Sequence, residues 1–260
     1  VNHLVMLSGG AGSWAAARRV KERHGVENMT LLFADTLIED EDLYRFMIEV
    51  VMDIGAKFVR IADGRDPWQV FEDVRYIGNT RVDPCSLHLK RKLLNAYRDK
   101  HFDPANTVVY NGLAWWESDR VQRGIARGAA DGWRIESPMA EAPFMDPEDV
   151  LLWMEAEGIK RPRLYEKGFA HNNCGGFCVK AGQGSFIKLL DHFPERYAHH
   201  EAQEARLNAM GIKGTILRDR TGAGAKTKRM TLKDFRIRVE TNRAAIDVND
   251  VGGCGCALDD

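Results

Sequence analysis

The chain opens on four apolar residues in a row, Leu4-Val5-Met6-Leu7, which stop at a run of small ones, Ser8-Gly9-Gly10-Ala11-Gly12-Ser13. An unbroken apolar run of this kind predicts a strand buried on both faces, as in a parallel sheet. The alanine-rich segment from about Trp14 to His24 reads as a helix stopped by Gly25. Met29–Ala34 and Lys57–Ile61 predict two further strands. Between them, Leu43, Phe46, Met47, Val50 and Val51 fall on one face of a helix spanning about Glu41–Ile54. A short helix is expected over Asp66–Val74. Strands follow over Thr107–Gly112 and Ile135–Met139, then a helix over Pro147–Glu157 with Asp146 as its cap. Beyond it the pattern predicts a helix opened by Phe186–Leu190, a charged helix over Ala198–Met210, a strand at Thr215–Arg220 and a last helix capped by Thr231. The β-α-β-α-β order predicts an α/β fold with a doubly wound, mostly parallel sheet. Residues 1 to about 140 form one expected domain, built on this sheet. Residues 141–260 form a helical, cysteine-bearing region packed on it.

Composition narrows the class. With 260 residues, 44% hydrophobic and 29% charged, the chain has the make-up of a globular protein. A formal net charge of −1 gives no global attraction to nucleic acid or to a membrane surface, so any nucleic-acid contact has to be a local patch. No apolar run has bilayer-spanning length and no signal peptide is visible, so the expected compartment is the cytoplasm. Five cysteines there read as thiols, metal ligands or redox groups rather than a disulfide framework.

The turn after the first strand carries the first chemistry. Gly9, Gly10 and Gly12 allow close approach of an anion to backbone N–H groups, and the next helix adds its positive end. Ser8 and Ser13 add hydroxyls. This combination suits a phosphate or pyrophosphate. It lacks the lysine of a Walker A loop, and the dinucleotide fingerprint fits poorly, with Ala15 at the third glycine. Asp35-Thr36 ends the second strand, where ligands of a parallel sheet sit. Cys85 precedes a basic helix start, Lys90-Arg91-Lys92, a setting that lowers a thiol pKa. Glu117 and Arg120 lie one helical turn apart after Gly112, in reach of a strand-end ligand or of each other.

The Ser-Gly-Gly-x-x-Ser turn, Asp35-Thr36, Cys85 with its basic helix, and Gly112…Glu117…Arg120 occur in an order that resembles the ATP pyrophosphatase (PP-loop, adenine nucleotide α-hydrolase) superfamily. The likeness is strongest to its phosphoadenylyl-sulfate-reductase-like branch. Ala11-Gly12 stands where many relatives carry Lys-Asp or x-Asp. The resemblance implies an HUP-type fold and cleavage of ATP between its α- and β-phosphates. It places Ser8, Gly9, Gly10, Gly12, Ser13, Asp35, Thr36, Gly112 and Glu117 on the nucleotide, with Mg²⁺, and gives catalytic roles to Cys85, Lys90 and Arg120.

Two glycine-rich cysteine pairs complete the picture: Cys174-Gly175-Gly176-Phe177-Cys178 and, near the end, Cys254-Gly255-Cys256. Together they offer four thiolates. The spacings differ from those of zinc knuckles, and relatives in the resembling branch bind a four-iron cluster. A 4Fe-4S cluster on Cys174, Cys178, Cys254 and Cys256 is therefore expected, with zinc the alternative. Cys85 is either a substitute ligand or a reactive thiol.

The expected activity is adenylation coupled to sulfur transfer, served by a sulfur donor or a thiol reductant. A nucleic-acid substrate and a homodimer are compatible with it. Two alternatives stand beside it: thiol-dependent reduction of an adenylyl sulfate, and a nucleotide-binding or redox-sensing module without turnover.

Overall fold

The structure, a computed structural model, describes residues 1–79, 81–219, 228–250 and 252. Its centre is a five-stranded sheet in the order β3-β2-β1-β4-β5, every neighbouring pair parallel. The strands are β1 (Asn2–Leu7), β2 (Met29–Asp35), β3 (Lys57–Ala62), β4 (Thr107–Tyr110) and β5 (Arg134–Glu136). Every residue of β2 and of β4 is buried, as the apolar runs require.

Alternation along the strands sorts their side chains to two faces. Val5, Leu7, Leu31, Phe33, Val108 and Tyr110 join one core with helices α1 (Ala11–His24), α2 (Glu41–Ile54) and α7 (Pro147–Ala156). Leu4, Leu32, Ala34 and Val109 face the other way, onto Leu94 of α5 (Lys92–His101) and Trp133. Helix α5 continues α4 (Pro84–Ser86) through a π turn at Leu87–Arg91. Helix α6 (Ser118–Ala130) leads into β5.

Four expected boundaries shift. Helix α1 starts at Ala11 rather than Trp14, because the Gly10 carbonyl already accepts from Ser13 N–H and Trp14 N–H. Strand β4 ends at Tyr110, and β5 ends at Glu136 just before Pro138, which has no N–H to give a ladder. The helix expected from Ala198 starts four residues earlier, with Pro194 at its first position.

A second core holds Leu164, Phe177, Phe186, Leu189, Tyr197, Leu207, Leu232 and Phe235. These come from α8 (Arg163–Glu166), α9 (Gln183–His192), α10 (Pro194–Ala209) and α11 (Leu232–Asn242), with the intervening turns. A two-stranded antiparallel ribbon, β6 (Leu217–Asp219) with β7 (Lys228–Met230), covers it. Packing crosses the boundary expected near residue 140 in both directions. Trp68 and Phe71 of α3 (Pro67–Asp73) lie in the second core, and Val150, Leu151 and Met154 of α7 in the first. Asp40, fully buried at the start of α2, binds the guanidinium of Arg163 through both oxygens (2.7 and 3.0 Å) and also meets Arg196 at 2.9 Å. The flap expected at Thr221–Arg229 lies mostly outside the described residues.

Two buried titrating groups in α10 set a pH signature. His200 stacks on Phe177 (3.7 Å between ring centroids), and its Nδ1 accepts from Trp68 Nε1–H at 3.0 Å. Burial, with help from His199 and Arg196, lowers its pKa to about 2. Glu204 accepts from Leu232 N–H and Ile216 N–H, but burial outweighs these bonds and raises its carboxyl to about 7. A folded-state histidine pKa below the unfolded value costs stability as pH falls below about 6.5. A raised carboxyl pKa costs stability as pH rises from about 4.5 towards 7. The two slopes oppose each other between these limits. His200→Phe is therefore expected to make the melting temperature, relative to wild type, rise progressively as pH is lowered from 6.5 to 4.5. Parallel melting curves for the two proteins over that range would refute the assignment.

Candidate functional site

The chain runs β1, β2, β3 to one edge of the sheet and then returns to place β4 and β5 on the other side of β1. The order reverses between β1 and β4, where open α/β sheets bind ligands beyond their carboxyl ends. A cavity of about 530 Å³ opens at that point. Ser8, Gly10, Ala11, Gly12 and Ser13 after β1 form one wall. Asn111, Gly112, Leu113, Trp116, Glu117 and Arg120 after β4 form the next. Met139, α7 and residues Tyr165–Asn173 complete the enclosure. The volume falls within the roughly 300–1,000 Å³ usual for small-molecule sites.

The glycine turn is held from inside. Ser13 Oγ–H donates to the Gly10 carbonyl at 2.7 Å and accepts from Ser8 N–H at 3.2 Å. Asn172, fully buried, donates its amide to the Gly9 carbonyl at 2.9 Å. No side chain of the Gly10 cap position bonds the first turn of α1. Instead Ala11 N–H donates to the Tyr165 hydroxyl at 3.2 Å. The helix end therefore already holds one oxygen, as an anion-binding N-terminus does.

Gly112 explains how β4 can come this close. A Cβ built on it would lie 2.7 Å from both N and Cα of Ser13, with no side chain to move aside. Gly12 in turn faces the Gly112 carbonyl. Glu117 pairs with Arg120 and accepts from Ala114 N–H, so the two residues are brought together at the cavity wall.

Asp35 and Thr36 sit at the end of β2 but not on this cavity. The Asp35 carboxylate, fully buried, accepts from Leu37 N–H, the Tyr44 hydroxyl and the Arg60 guanidinium. Thr36 donates to Glu39 at 2.8 Å. Both side chains hold the turn into α2.

A second, smaller cavity of about 20 Å³, space for about one water molecule, lies beside the first. Cys85, Cys174 and Cys178 all line it, with Thr36, Lys90 and Lys180. No disulfide joins these three cysteines. The buried Lys90 ammonium lies 3.8 Å from Cys174 Sγ and 4.0 Å from Glu39 Oε1. Glu39 also accepts from Cys174 N–H, and burial raises its pKa against the pull of Lys90. Cys174 itself takes φ 53°, a left-handed conformation uncommon for a side-chain-bearing residue. Lys180 reaches Asp83 at 3.7 Å.

The expected site residues thus separate into two groups. Ser8, Gly10, Gly12, Ser13, Gly112, Glu117 and Arg120 share the large cavity, whereas Gly9 does not line it and its carbonyl is taken by Asn172. Lys90 and Cys85 join Cys174 and Cys178 around the small one. Cys254 and Cys256 lie outside the described residues, although Gly252 forms an antiparallel bridge with Ala181, three residues after Cys178. Among the described residues no group of three or more His, Cys, Asp or Glu is arranged to hold a metal ion. The sequence reading missed Asn111, Glu39, Tyr165 and Lys180. Only the first carried a signal, an amide directly before the strand-end glycine.

No protein-family model matches the chain, and no curated protein does. Distant likeness to solved structures includes the following three. A phosphoadenylyl-sulfate (PAPS) reductase from Candida auris, in a phosphate complex, is 11% identical with a TM-score of 0.46, over 65% of this chain and 79% of that one. The U34-tRNA thiolase NcsA from Methanococcus maripaludis, with its 4Fe-4S cluster, is 16% identical with a TM-score of 0.45, over 80% and 73%. An NH3-dependent NAD synthetase from Campylobacter jejuni, in complex with nitrate, is 16% identical with a TM-score of 0.40, over 80% and 82%. No helix among the described residues is long and apolar enough to cross a membrane.

Proposed function

We propose that the chain is a PP-loop enzyme that adenylates an acceptor with ATP and couples this to sulfur transfer through its cysteines. One observation carries the reading. Asn173 lines the large cavity and Cys174, the next residue, lines the small one, so a phosphate-binding loop and a set of thiols share a single peptide as their wall.

In this reading ATP enters as its Mg²⁺ complex. The described residues offer no dedicated cation site, and Glu117 and Glu148 are engaged by Arg120 and Arg161. The N–H groups at the start of α1, with Ser8, hold the β- and γ-phosphates, while Ser13 keeps the turn in shape. Arg120 meets the charge that gathers on the α-phosphate as an acceptor oxygen attacks it and pyrophosphate leaves. A sulfur nucleophile then forms a bond to the activated carbon, and AMP departs with the oxygen. Catalysis rests on positioning and on donors fixed before the reaction begins.

As it stands the small cavity is too small for an iron–sulfur cluster, with room for about one water and no three ligands arranged around a metal ion among the described residues, so a cluster there requires it to widen. Cys85, Cys174 and Cys178 line it, and the Lys90 ammonium beside Cys174 would offset negative charge on that sulfur. Cys85, Cys174 and Cys178 would hold such a cluster, with a fourth thiolate from Cys254 or Cys256. The group would supply a site for sulfur or electrons. Glu39 and Lys90 orient Cys174 at its backbone and at its sulfur.

The test is product analysis with ATP, Mg²⁺, sulfide and extracted nucleic acid. AMP and pyrophosphate released in equal amounts support the reading. ADP with phosphate, or no product, overturns it. Sulfite formed from an adenylyl sulfate and a thiol reductant, without pyrophosphate, would identify a reductase instead.

A further inference from the structure

We propose that His171 is a phosphate-contacting residue of the large cavity, its imidazolium donating to the pyrophosphate half of bound ATP at the glycine turn. This rests on the nucleotide reading given above and goes beyond it by assigning the cation that the turn itself lacks.

Position comes first. His171 is exposed and lines the large cavity. The next residue, Asn172, is fully buried and donates its amide to the Gly9 carbonyl at 2.9 Å. The one after, Asn173, brings its side-chain oxygen to 3.9 Å from where a Cβ on Gly10 would lie. The backbone at His171 is therefore tied to the glycine turn. Ser8 and Ala11, read above as part of the seat of the β- and γ-phosphates, line the same cavity.

Charge comes second. The turn from Ser8 to Ser13 holds no cationic side chain. The first arginines of α1 are engaged elsewhere. Arg18 binds Asp53 and Glu157, and Arg19 binds the carbonyls of Pro138, Glu141 and Pro143. Lys188 of α9 donates to the Gly168 carbonyl. Besides His171, the described charged residues that line the cavity are Glu117 and Arg120 after β4, Glu148 of α7, and Arg161. Arg120 pairs with Glu117, and Arg161 with Glu148 at 2.7 Å. Two carboxylates against two guanidiniums sum to zero, and a tyrosine hydroxyl such as that of Tyr165 adds no charge near neutrality. Protonation of His171 is then the one change near neutral pH that makes this wall positive. A hydrogen bond from an imidazolium to a phosphate oxygen is charge-assisted. As pyrophosphate leaves, the negative charge that gathers on it faces the same group.

The experiment titrates wild type, His171→Gln and His171→Lys with inorganic tripolyphosphate, ATP and adenosine between about pH 8 and about pH 6. Affinities are read as the ratio of wild type to His171→Gln, in which the ligand's own protonation cancels. For both polyphosphates this ratio is expected to rise about tenfold as the pH falls through the range. For adenosine it should stay flat. His171→Lys carries a fixed charge, so its own ratio to His171→Gln should be high for both polyphosphates and should not move with pH. Tripolyphosphate is also expected to protect His171 of wild type from carbethoxylation by diethyl pyrocarbonate, mapped by mass spectrometry. A flat polyphosphate ratio in a folded His171→Gln protein, or an equal change for adenosine, overturns the assignment. Undiminished carbethoxylation of His171 at saturating tripolyphosphate overturns it even if neither variant folds. If wild type binds neither polyphosphate, the nucleotide reading fails and takes this assignment with it. If it binds tripolyphosphate with the expected ratio but does not bind ATP, the nucleotide reading alone fails.

Discussion

Gly112→Ala is expected to abolish nucleotide binding and to cost about 2–4 kcal/mol of stability. The added methyl would sit 2.7 Å from N and Cα of Ser13 and 2.8 Å from the Gly12 carbonyl carbon. All three are backbone atoms, so no rotamer change relieves the overlap. Either β4 withdraws from β1, losing part of the ladder that pairs Val5 with Tyr110, or α1 retreats and carries the glycine turn with it. In both cases the donors at the helix start lose their common focus. Thermal denaturation and ATP titration on the same preparation check this. Wild-type affinity in a folded Gly112→Ala protein would show that the close approach of β4 to the turn has no part in binding.

Cys85→Ala, Cys174→Ala and Cys178→Ala are each expected to remove bound iron. Anaerobically purified wild type is expected to carry about four irons per chain. The three cysteines line one small cavity although Cys85 and Cys174 are far apart in the chain. Loss of iron in all three variants makes Cys85 a ligand. Full iron in Cys85→Ala alone would place that thiol outside the set and favour its use as the nucleophile of a reductase. Zinc in place of iron would make the cavity a structural staple.

The sheet and the glycine turn were legible because their signals are local. Leu4–Leu7 and Met29–Ala34 are apolar runs with no alternative as buried strands, and a glycine turn between strand and helix has few uses. Asp35 shows where local reading stops. Its place at the end of β2 follows from the sequence, but its partners come from α2 and from the neighbouring strand, and Arg60 reaches it only through the β2–β3 register. The convergence of Cys85 with Cys174 and Cys178 depends on the second core docking against α3 and α4, which no periodicity encodes.

The walls of the large cavity come from three widely spaced stretches, residues 6–13, 111–120 and 139–173. During synthesis the chain leaves the ribosome from its N-terminus, so the glycine turn emerges long before Tyr165, Phe169 and Asn173 exist to close over it. A nascent chain of 140 residues carries the sequence of all five strands but neither α7, which completes the first core, nor the last wall of the cavity, so the site can be enclosed only after translation has passed residue 173.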